Sequence, residues 1–429
     1  LALIRPFRGI LYNSEKVNIA EVIAPPYDVI TPEEQEVLHQ KSPYNIVHVE
    51  LGKEKKGDDE KSNKYTRAAQ ILKKWLKDQI LRRAQKPAFY LYQQEYHTEE
   101  GKLKERLGLI ALVKLTPYEE KVVLPHEKTL TKPKEDRLRL MRATQANVSP
   151  IFGLYRDAEG KIKPFLKAKC FSSLGCLFDF SNGAGVRHTL WQVNEPSFLK
   201  KISQLMEQEK ILLADGHHRY ETALGYRDEM NEKYQNSEDA PWNYTMMTLV
   251  ASDQDLTISP VHRALKLTAF NLRSFLEKVS QRFDVTQVDN LNTLLVQLKQ
   301  LKPHRPFGLL TKEQAFLLIP KFVQEMKESL NVPEPLKKVD LILLHQVILE
   351  KMLNISPEQI EELVEFEKDA YKLEEKIKKG SLTLAFLLNS VTSEEIWEVA
   401  EAGLKMPQKS SYFYPKVFTG LVMNSLANW

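Results

Sequence analysis

Apolar positions along this chain fall into many short runs separated by polar turns, with stretches of helical period between them. The runs at residues 10–12, 22–23, 46–51, 88–96, 107–115, 122–124 and 151–155 are rich in β-branched and aromatic side chains and predict strands. The polar tetrad 98–101, ending in Gly101, suits a hairpin loop between two of them. Further strands are predicted at 186–193, 211–214, 244–251, 257–261 and 382–388, and a hairpin at 307–319. Helical period is clearest over 61–83, where Tyr65, Ala68, Leu72, Trp75 and Leu76 form one stripe and lysines cover the opposite face. Thr31-Pro32-Glu33-Glu34 has the form of a helix start, with a capping residue, proline in the first turn and acids behind it. Other helices are predicted around Asp136–Arg142 and at 196–209, 217–233, 270–282, 340–353, 360–378 and 393–401. Strands interleaved with helices predict a mixed α/β protein. The expected division is an N-terminal α+β segment (1–107), a core (108–265) and a C-terminal α+β domain (266–429).

Composition narrows the function classes. Lysine and arginine number 61 against 57 acidic residues, a net charge of +4, and no dense basic block stands out for nucleic-acid binding. Cys170 and Cys176 are the only cysteines; their spacing is poor for zinc and too sparse for a disulfide framework, which points to a reducing cytoplasm. No apolar run approaches the ~20 residues that span a membrane. The expectation is a soluble cytoplasmic protein without membrane or nucleic-acid partners.

The chemistry concentrates in Ala214-Asp215-Gly216-His217-His218-Arg219-Tyr220, a polar turn between the predicted strand 211–214 and a helix. A helix N-terminus presents unpaired N–H groups and a positive dipole end, which suits a phosphate. Gly216 allows close approach of the backbone, while His217, His218 and Arg219 supply donors for different oxygens of one polyphosphate. Adjacent histidines on a helix diverge by about 100° and do not chelate one zinc ion, whereas Asp215 could hold Mg²⁺. The structural alternative is a solvated cap with Asp215 as N-cap and Tyr220 in the core. A second constellation, His126-Glu127-Lys128-Thr129, follows a strand and Pro125; its structural alternative is a surface loop with a Glu–Lys pair. A third, Arg187-His188, is a cationic pair within an apolar strand; its partner is either a substrate anion or a structural carboxylate such as Asp179. Asp136-Arg137 reads as a nucleotide contact or, more readily, a fold-closing ion pair. No Walker A, GxGxxG or protein-kinase loop is present.

Asp215-Gly-His-His-Arg219 after a strand resembles the second signature box of the ParB/sulfiredoxin-like fold, including the free serine kinases built on it. The whole chain resembles the family designated domain of unknown function 1015, through Arg5-Pro-Phe7, Ala24-Pro-Pro-Tyr-Asp-Val29, His126 to Thr129, Gly185 to Trp191, Ala214 to Tyr220 and Met406 to Ser410. The resemblance implies a ParB/sulfiredoxin-like nucleotide-binding core flanked by N- and C-terminal α+β additions. It also implies ATP (or ADP) and Mg²⁺ as cofactors, with a small hydroxyl-bearing metabolite, free L-serine foremost, as substrate. Glu127 then becomes the base, with Asp215 and His217 acting at the phosphoryl group. Gly216, His217, His218, Arg219, His126, Lys128 and Thr129 would bind nucleotide, and Arg187 and His188 the substrate. Tyr27-Asp28 and Lys409-Ser410 are expected to approach the site. The alternative is a non-catalytic nucleotide-binding regulator. Sulfiredoxin chemistry has no cysteine after Gly216, and the helix-turn-helix domain of partition proteins has no counterpart after residue 235.

Overall fold

The computed structural model describes residues 2–98, 100–129, 131–172, 175–234, 238–252 and 256–427. The chain forms a mixed α/β protein of two compact units, neither continuous in sequence. The first comprises residues 1–125, 129–257 and 415–429; the second comprises 126–128 and 258–414. The expected border at 107/108 falls inside strand Leu103–Lys114, and the one at 265/266 falls at the end of strand His262–Leu265.

The first unit is built on a mixed sheet of nine strands among the described residues. Its order is Val123–Leu124, Ile211–Asp215, Ile151–Tyr155, Tyr244–Ala251, Leu103–Lys114, Phe89–His97, Arg187–Val193 and Phe178–Ser181, with Ile4–Arg5 also paired to Leu103–Lys114. Two pairings are parallel, Ile211–Asp215 with Val123–Leu124 and Tyr244–Ala251 with Ile151–Tyr155; the others are antiparallel. Strand parity separates the two faces. Leu107, Leu109, Ala111 and Val113 join Ile151, Leu213 and Met247 in an apolar cluster that also takes in Phe198, Ile202 and Met206 of helix Pro196–Met206. Burying each such side chain stabilises the unit by roughly 1.5–3 kcal/mol before ordering entropy is subtracted. The alternate positions carry Tyr92, Gln94, Arg106 and His188, all buried, and Gln94 lies in register between His188 and Arg106.

The second unit holds an antiparallel six-stranded sheet in the order Phe283–Val288, Ala315–Pro320, Phe307–Thr311, Leu384–Leu387, His262–Leu265, Val364–Glu367. Helices Leu291–Gln300 and Ala370–Lys378 contribute Leu294, Leu298, Leu373 and Ile377 to its core. Among the described residues no helix is long and apolar enough to cross a membrane.

Four predicted elements differ, one of them the helix over 61–83, which ends at Lys77 and gives way to strand Leu81–Arg83. Residues 46–51 form one helical turn, Val47–Glu50, because the buried Asn45 accepts from the Val47 N–H at 2.9 Å and donates to the carbonyls of Glu21 and Ile23. Residues 22–23 end a short helix, Ile19–Val22, capped by Asn18. The helix predicted over 360–378 is two helices, Pro357–Leu363 and Ala370–Lys378, separated by strand Val364–Glu367, which pairs with His262–Leu265. Alternation of Val364 and Phe366 with glutamates gives that segment a half-buried strand pattern inside a charge-rich stretch.

Candidate functional site

Strand Ile211–Asp215 is buried through Ala214 and delivers Asp215 to its C-terminal end, where helix His217–Tyr234 begins. Gly216 makes the corner at φ +92°, in the left-handed region that L-residues avoid. The Asp215 carboxylate folds back to accept from the Gly216 N–H at 2.9 Å. Tyr220 fastens the helix: its ring is wholly buried, its hydroxyl donates to the Thr116 carbonyl at 2.7 Å, and it stacks on Tyr118. The expected core role of Tyr220 is what the packing gives.

His217 is the first residue of the helix and buried; His218 is half-buried. Arg219 lies against Gly216, with its side chain 9% exposed. Its Nη1 donates to Ser149 Oγ at 2.7 Å and to the Pro150 carbonyl, and Nη2 stands 3.7 Å from Asp215 Oδ2. The guanidinium therefore braces the turn from within, and its buried Nε has no partner among the described residues.

A residue that sequence reasoning missed completes this corner. Lys416 returns to the first unit and places Nζ 3.2 Å from Asp215 Oδ2, with both side chains largely buried. Its carbonyl accepts from Gln94 Nε2 at 3.0 Å, and the neighbouring Pro415 carbonyl accepts from Arg106. Thr419 donates to Ser149 Oγ at 2.9 Å, so the returning segment and Arg219 share one serine.

Beside Arg219 lies a small cavity of about 40 Å³ whose walls include Glu50, Arg137, Ser149 and Thr222. Arg137 is buried, paired with Glu50 at 3.2 Å and with Asp136, and the Tyr27 ring packs on its guanidinium at 4.1 Å. Asp136-Arg137 is thus an ion pair that ties the fold together. Tyr27 reaches the neighbourhood of Arg219, whose charge acts on its hydroxyl, although burial is the larger influence and pushes the phenol upward.

In the second unit, residues 126–128 are held by the segment 406–413. The Met406 N–H donates to the His126 carbonyl at 2.8 Å, and Glu127 bridges to Met406. Glu127 Oε1 accepts from the N–H groups of Ser410 and Ser411 at 2.9 and 3.2 Å and from Ser411 Oγ at 3.3 Å. His126 is fully buried, with Nε2 2.9 Å from Ser411 Oγ and 3.5 Å from Glu127 Oε1. Arg263 adds a positive charge: it is buried, donates to the Lys409 carbonyl at 2.9 Å, and burial brings its guanidinium down to about 9 against the pull of Glu127. Of Lys409-Ser410, Ser410 meets Glu127 through its N–H and Lys409 meets Arg263 through its carbonyl. Lys128 is exposed, and Thr129, in the first unit, donates to Glu221 Oε2 at 2.6 Å.

Arg187 and His188 sit elsewhere, on strand Arg187–Val193. Arg187 is exposed and forks onto Asp179 at 2.9 and 2.8 Å, with Glu95 at 3.3 Å. The contact with Asp179 left open by the sequence is formed. His188 is sealed between Phe180 and Phe418, with ring centroids at 5.1 and 4.8 Å, and its Nδ1 meets Tyr92 Oη at 2.7 Å. Burial first, then the charge of Arg106, lowers its imidazole to about 3, so it stays neutral. Both cysteines are free; burial pushes Cys170 up to about 12, which makes it a poor thiolate. Among the described residues no group of three or more His, Cys, Asp or Glu converges as a metal site.

No curated protein matches the chain. Solved structures with a similar trace include free serine kinase in complex with AMP, at 14% identity and TM-score 0.35, covering 71% of this chain and 86% of that one. A conserved hypothetical protein from Pyrococcus furiosus aligns at 14% identity and TM-score 0.34, over 72% and 92% of the two chains. SbnI with a C-terminal truncation from Staphylococcus aureus aligns at 8% identity and TM-score 0.35, over 72% and 85%. Residues 4–342 match the family described as protein of unknown function (DUF1015), and the chain belongs to that family.

Proposed function

We propose that this DUF1015 protein transfers the γ-phosphoryl group of ATP, or the terminal phosphoryl of ADP, to the hydroxyl of a small metabolite, free L-serine foremost, on a ParB/sulfiredoxin-like core. The observation that carries the reading is the corner at Gly216. It combines a strand end, a left-handed glycine and a helix start with an acidic side chain paired to a buried lysine. Such a corner offers backbone N–H groups and fixed charge to an anion without needing reorganisation when phosphate arrives.

Gly216, His217 and His218 contact the phosphates, with Thr129 and Lys128 as further contacts. Arg219 acts mainly by holding the corner in shape. Asp215 would hold Mg²⁺ through one oxygen, the remaining positions going to phosphate and water as that ion prefers. Its Oδ1 accepts from the Gly216 N–H and its Oδ2 pairs with Lys416, so the ion would take the place of the lysine at Oδ2. The ion would neutralise charge on the phosphates. Glu127, oriented by His126, Ser410 and Ser411, accepts the hydroxyl proton. The freed oxygen forms its bond to the terminal phosphorus as the bond to the leaving nucleotide oxygen breaks.

One observation favours a second reading, a catalytically silent nucleotide sensor. Glu127 already accepts three hydrogen bonds, and a carboxylate stabilised in its charged form is a weaker base. The deciding experiment incubates the protein with ATP, Mg²⁺ and a panel of hydroxyl-bearing metabolites and follows product by mass spectrometry. O-phosphoserine formation, lost in Glu127→Gln with nucleotide binding retained, is the expected result. Nucleotide binding with no phosphorylated product from any acceptor selects the sensor.

A further inference from the structure

The second unit contains a cleft of about 160 Å³ that the phosphotransfer reading leaves unused. Lys302 and Arg305 enter it from the turn before strand Phe307–Thr311, and Lys327 from helix Val323–Glu328. Lys338 caps the end of helix Glu334–Lys337, Asp340 opens helix Asp340–Leu343, and Glu395 comes from the first turn of helix Ser393–Glu401. Four cations face two carboxylates, a lining charge of 4 − 2 = +2.

These charges are not equally available. Arg305 is committed: Nε binds Asp340 Oδ1, and its two terminal nitrogens donate to the carbonyls of Lys337 and Lys338 at 3.2 and 2.8 Å. Lys338 is paired with Glu398 at 2.7 Å. Glu395 is occupied by the Thr392 N–H and hydroxyl at 2.7 and 2.8 Å, the reciprocal half of a capping box. Lys302 and Lys327 make no ion pair among the described residues. Two compact ammonium groups are thus left to face one cleft, beside the hydroxyl-bearing Ser390 and Ser410. Ammonium groups act as strongly hydrated point charges that favour compact anions. A single water needs ~10–15 Å³ of such space, so the cleft holds on the order of ten water-sized groups, enough for a small metabolite and too few for a nucleotide.

We infer that this cleft binds a small dianion, the chemistry shared by a phosphate monoester and a short dicarboxylate, with Lys302 and Lys327 as its charge partners. The inference is independent of the phosphotransfer reading, yet the cleft touches the same segment. Ser410 lines it, and the Ser410 N–H donates to Glu127. A ligand seated there contacts the residues that orient Glu127.

The test is calorimetric titration of the full chain with inorganic phosphate and, separately, with succinate, at constant low ionic strength. Because the Gly216 corner is also proposed to take phosphate, three proteins are compared: wild type, Lys302→Ala/Lys327→Ala and His218→Ala. Wild type is expected to bind at least one of the two dianions. The double variant should lose about tenfold or more of that affinity, the effect of one charge-assisted contact, whereas His218→Ala, altered at the proposed phosphate corner, should retain the lysine-dependent component of binding. The tighter of the two probes identifies the ligand class. Unchanged affinity in the double variant, loss confined to His218→Ala, or no binding of either probe at millimolar concentration overturns the inference. Lys302 and Lys327 act on Asp340 and Glu334 only at longer range than an ion pair, so little change in unfolding midpoints is expected to accompany the loss. A failed kinase assay leaves this result untouched.

Discussion

Replacing Gly216 by alanine tests the corner at its tightest point. An added Cβ would stand 3.0 Å from Arg219 Nε and 3.1 Å from both Cζ and Nη2, inside ordinary contact. Two costs follow. Holding an L-residue in the left-handed region costs about 1–2 kcal/mol. The guanidinium must also give way by a few tenths of an ångström, although it is held by Ser149 and Pro150 and faces Asp215. Hydrogen bonds to a charged group contribute about 1.5–3 kcal/mol each, so partial loss of two costs a further ~1–2 kcal/mol. Gly216→Ala should therefore destabilise the first unit by about 2–4 kcal/mol. The two contributions separate in a double-mutant cycle with Arg219→Ala, where only the backbone cost of ~1–2 kcal/mol should remain. The assay is urea unfolding followed by circular dichroism, fitted with one transition per unit, alongside nucleotide titration. Equal costs of Gly216→Ala in both backgrounds would refute the claim that the guanidinium is pressed against the corner.

Other outcomes can be stated briefly. Lys416→Met should weaken ATP binding by about tenfold, the equivalent of one charge-assisted hydrogen bond; wild-type affinity in a titration would mean that Lys416 serves Asp215 alone. His188 is held near 3 when folded and titrates near 6.5 when unfolded, so the unfolded chain binds the extra proton below 6.5. Stability present above that pH should fall as pH drops from 6.5 toward 3, by up to about 1.4 kcal/mol per pH unit. His188→Phe should flatten that slope in urea midpoints measured from pH 7 to 4.5, and parallel curves for the two proteins would contradict it. Arg187→Ala should leave acceptor KM and unfolding unchanged, because its exposed fork is occupied by Asp179; a raised KM would return Arg187 to the substrate site.

Sequence pattern reached furthest where the determining contacts are local. The corner at Gly216 was legible because strand, glycine and helix start are consecutive, and Thr31-Pro32 did form a capped helix with its full capping box. The hairpin of Phe89–His97 with Leu103–Lys114 was equally plain, as alternation and turn composition agreed. Pattern failed where a distant partner decided the outcome. Val364–Glu367 is extended because His262–Leu265 pairs with it, and Val47–Glu50 is helical because the buried Asn45 sets its start. The predicted helix 61–83 stops at Lys77, since Gln79 turns left-handed and Leu81–Arg83 pairs with Ile10–Tyr12. At the candidate site, Lys416 lies 201 residues from Asp215, and Ser410 lies 283 residues from Glu127. No spacing rule connects residues so far apart, and a lone lysine in a C-terminal segment carries no periodic signal.

That returning segment has a consequence for biosynthesis. The sheet holding Asp215 also needs Pro415, Lys416, Phe418 and Thr419, yet the whole second unit is translated before them. A nascent chain stalled near residue 400 would expose Arg106 without its carbonyl acceptor, Asp215 without its lysine, and one face of the His188 ring without its aromatic cover. The phosphate corner should therefore mature only after the ribosome has passed residue 419, although the last strand of its sheet ends at Ala251.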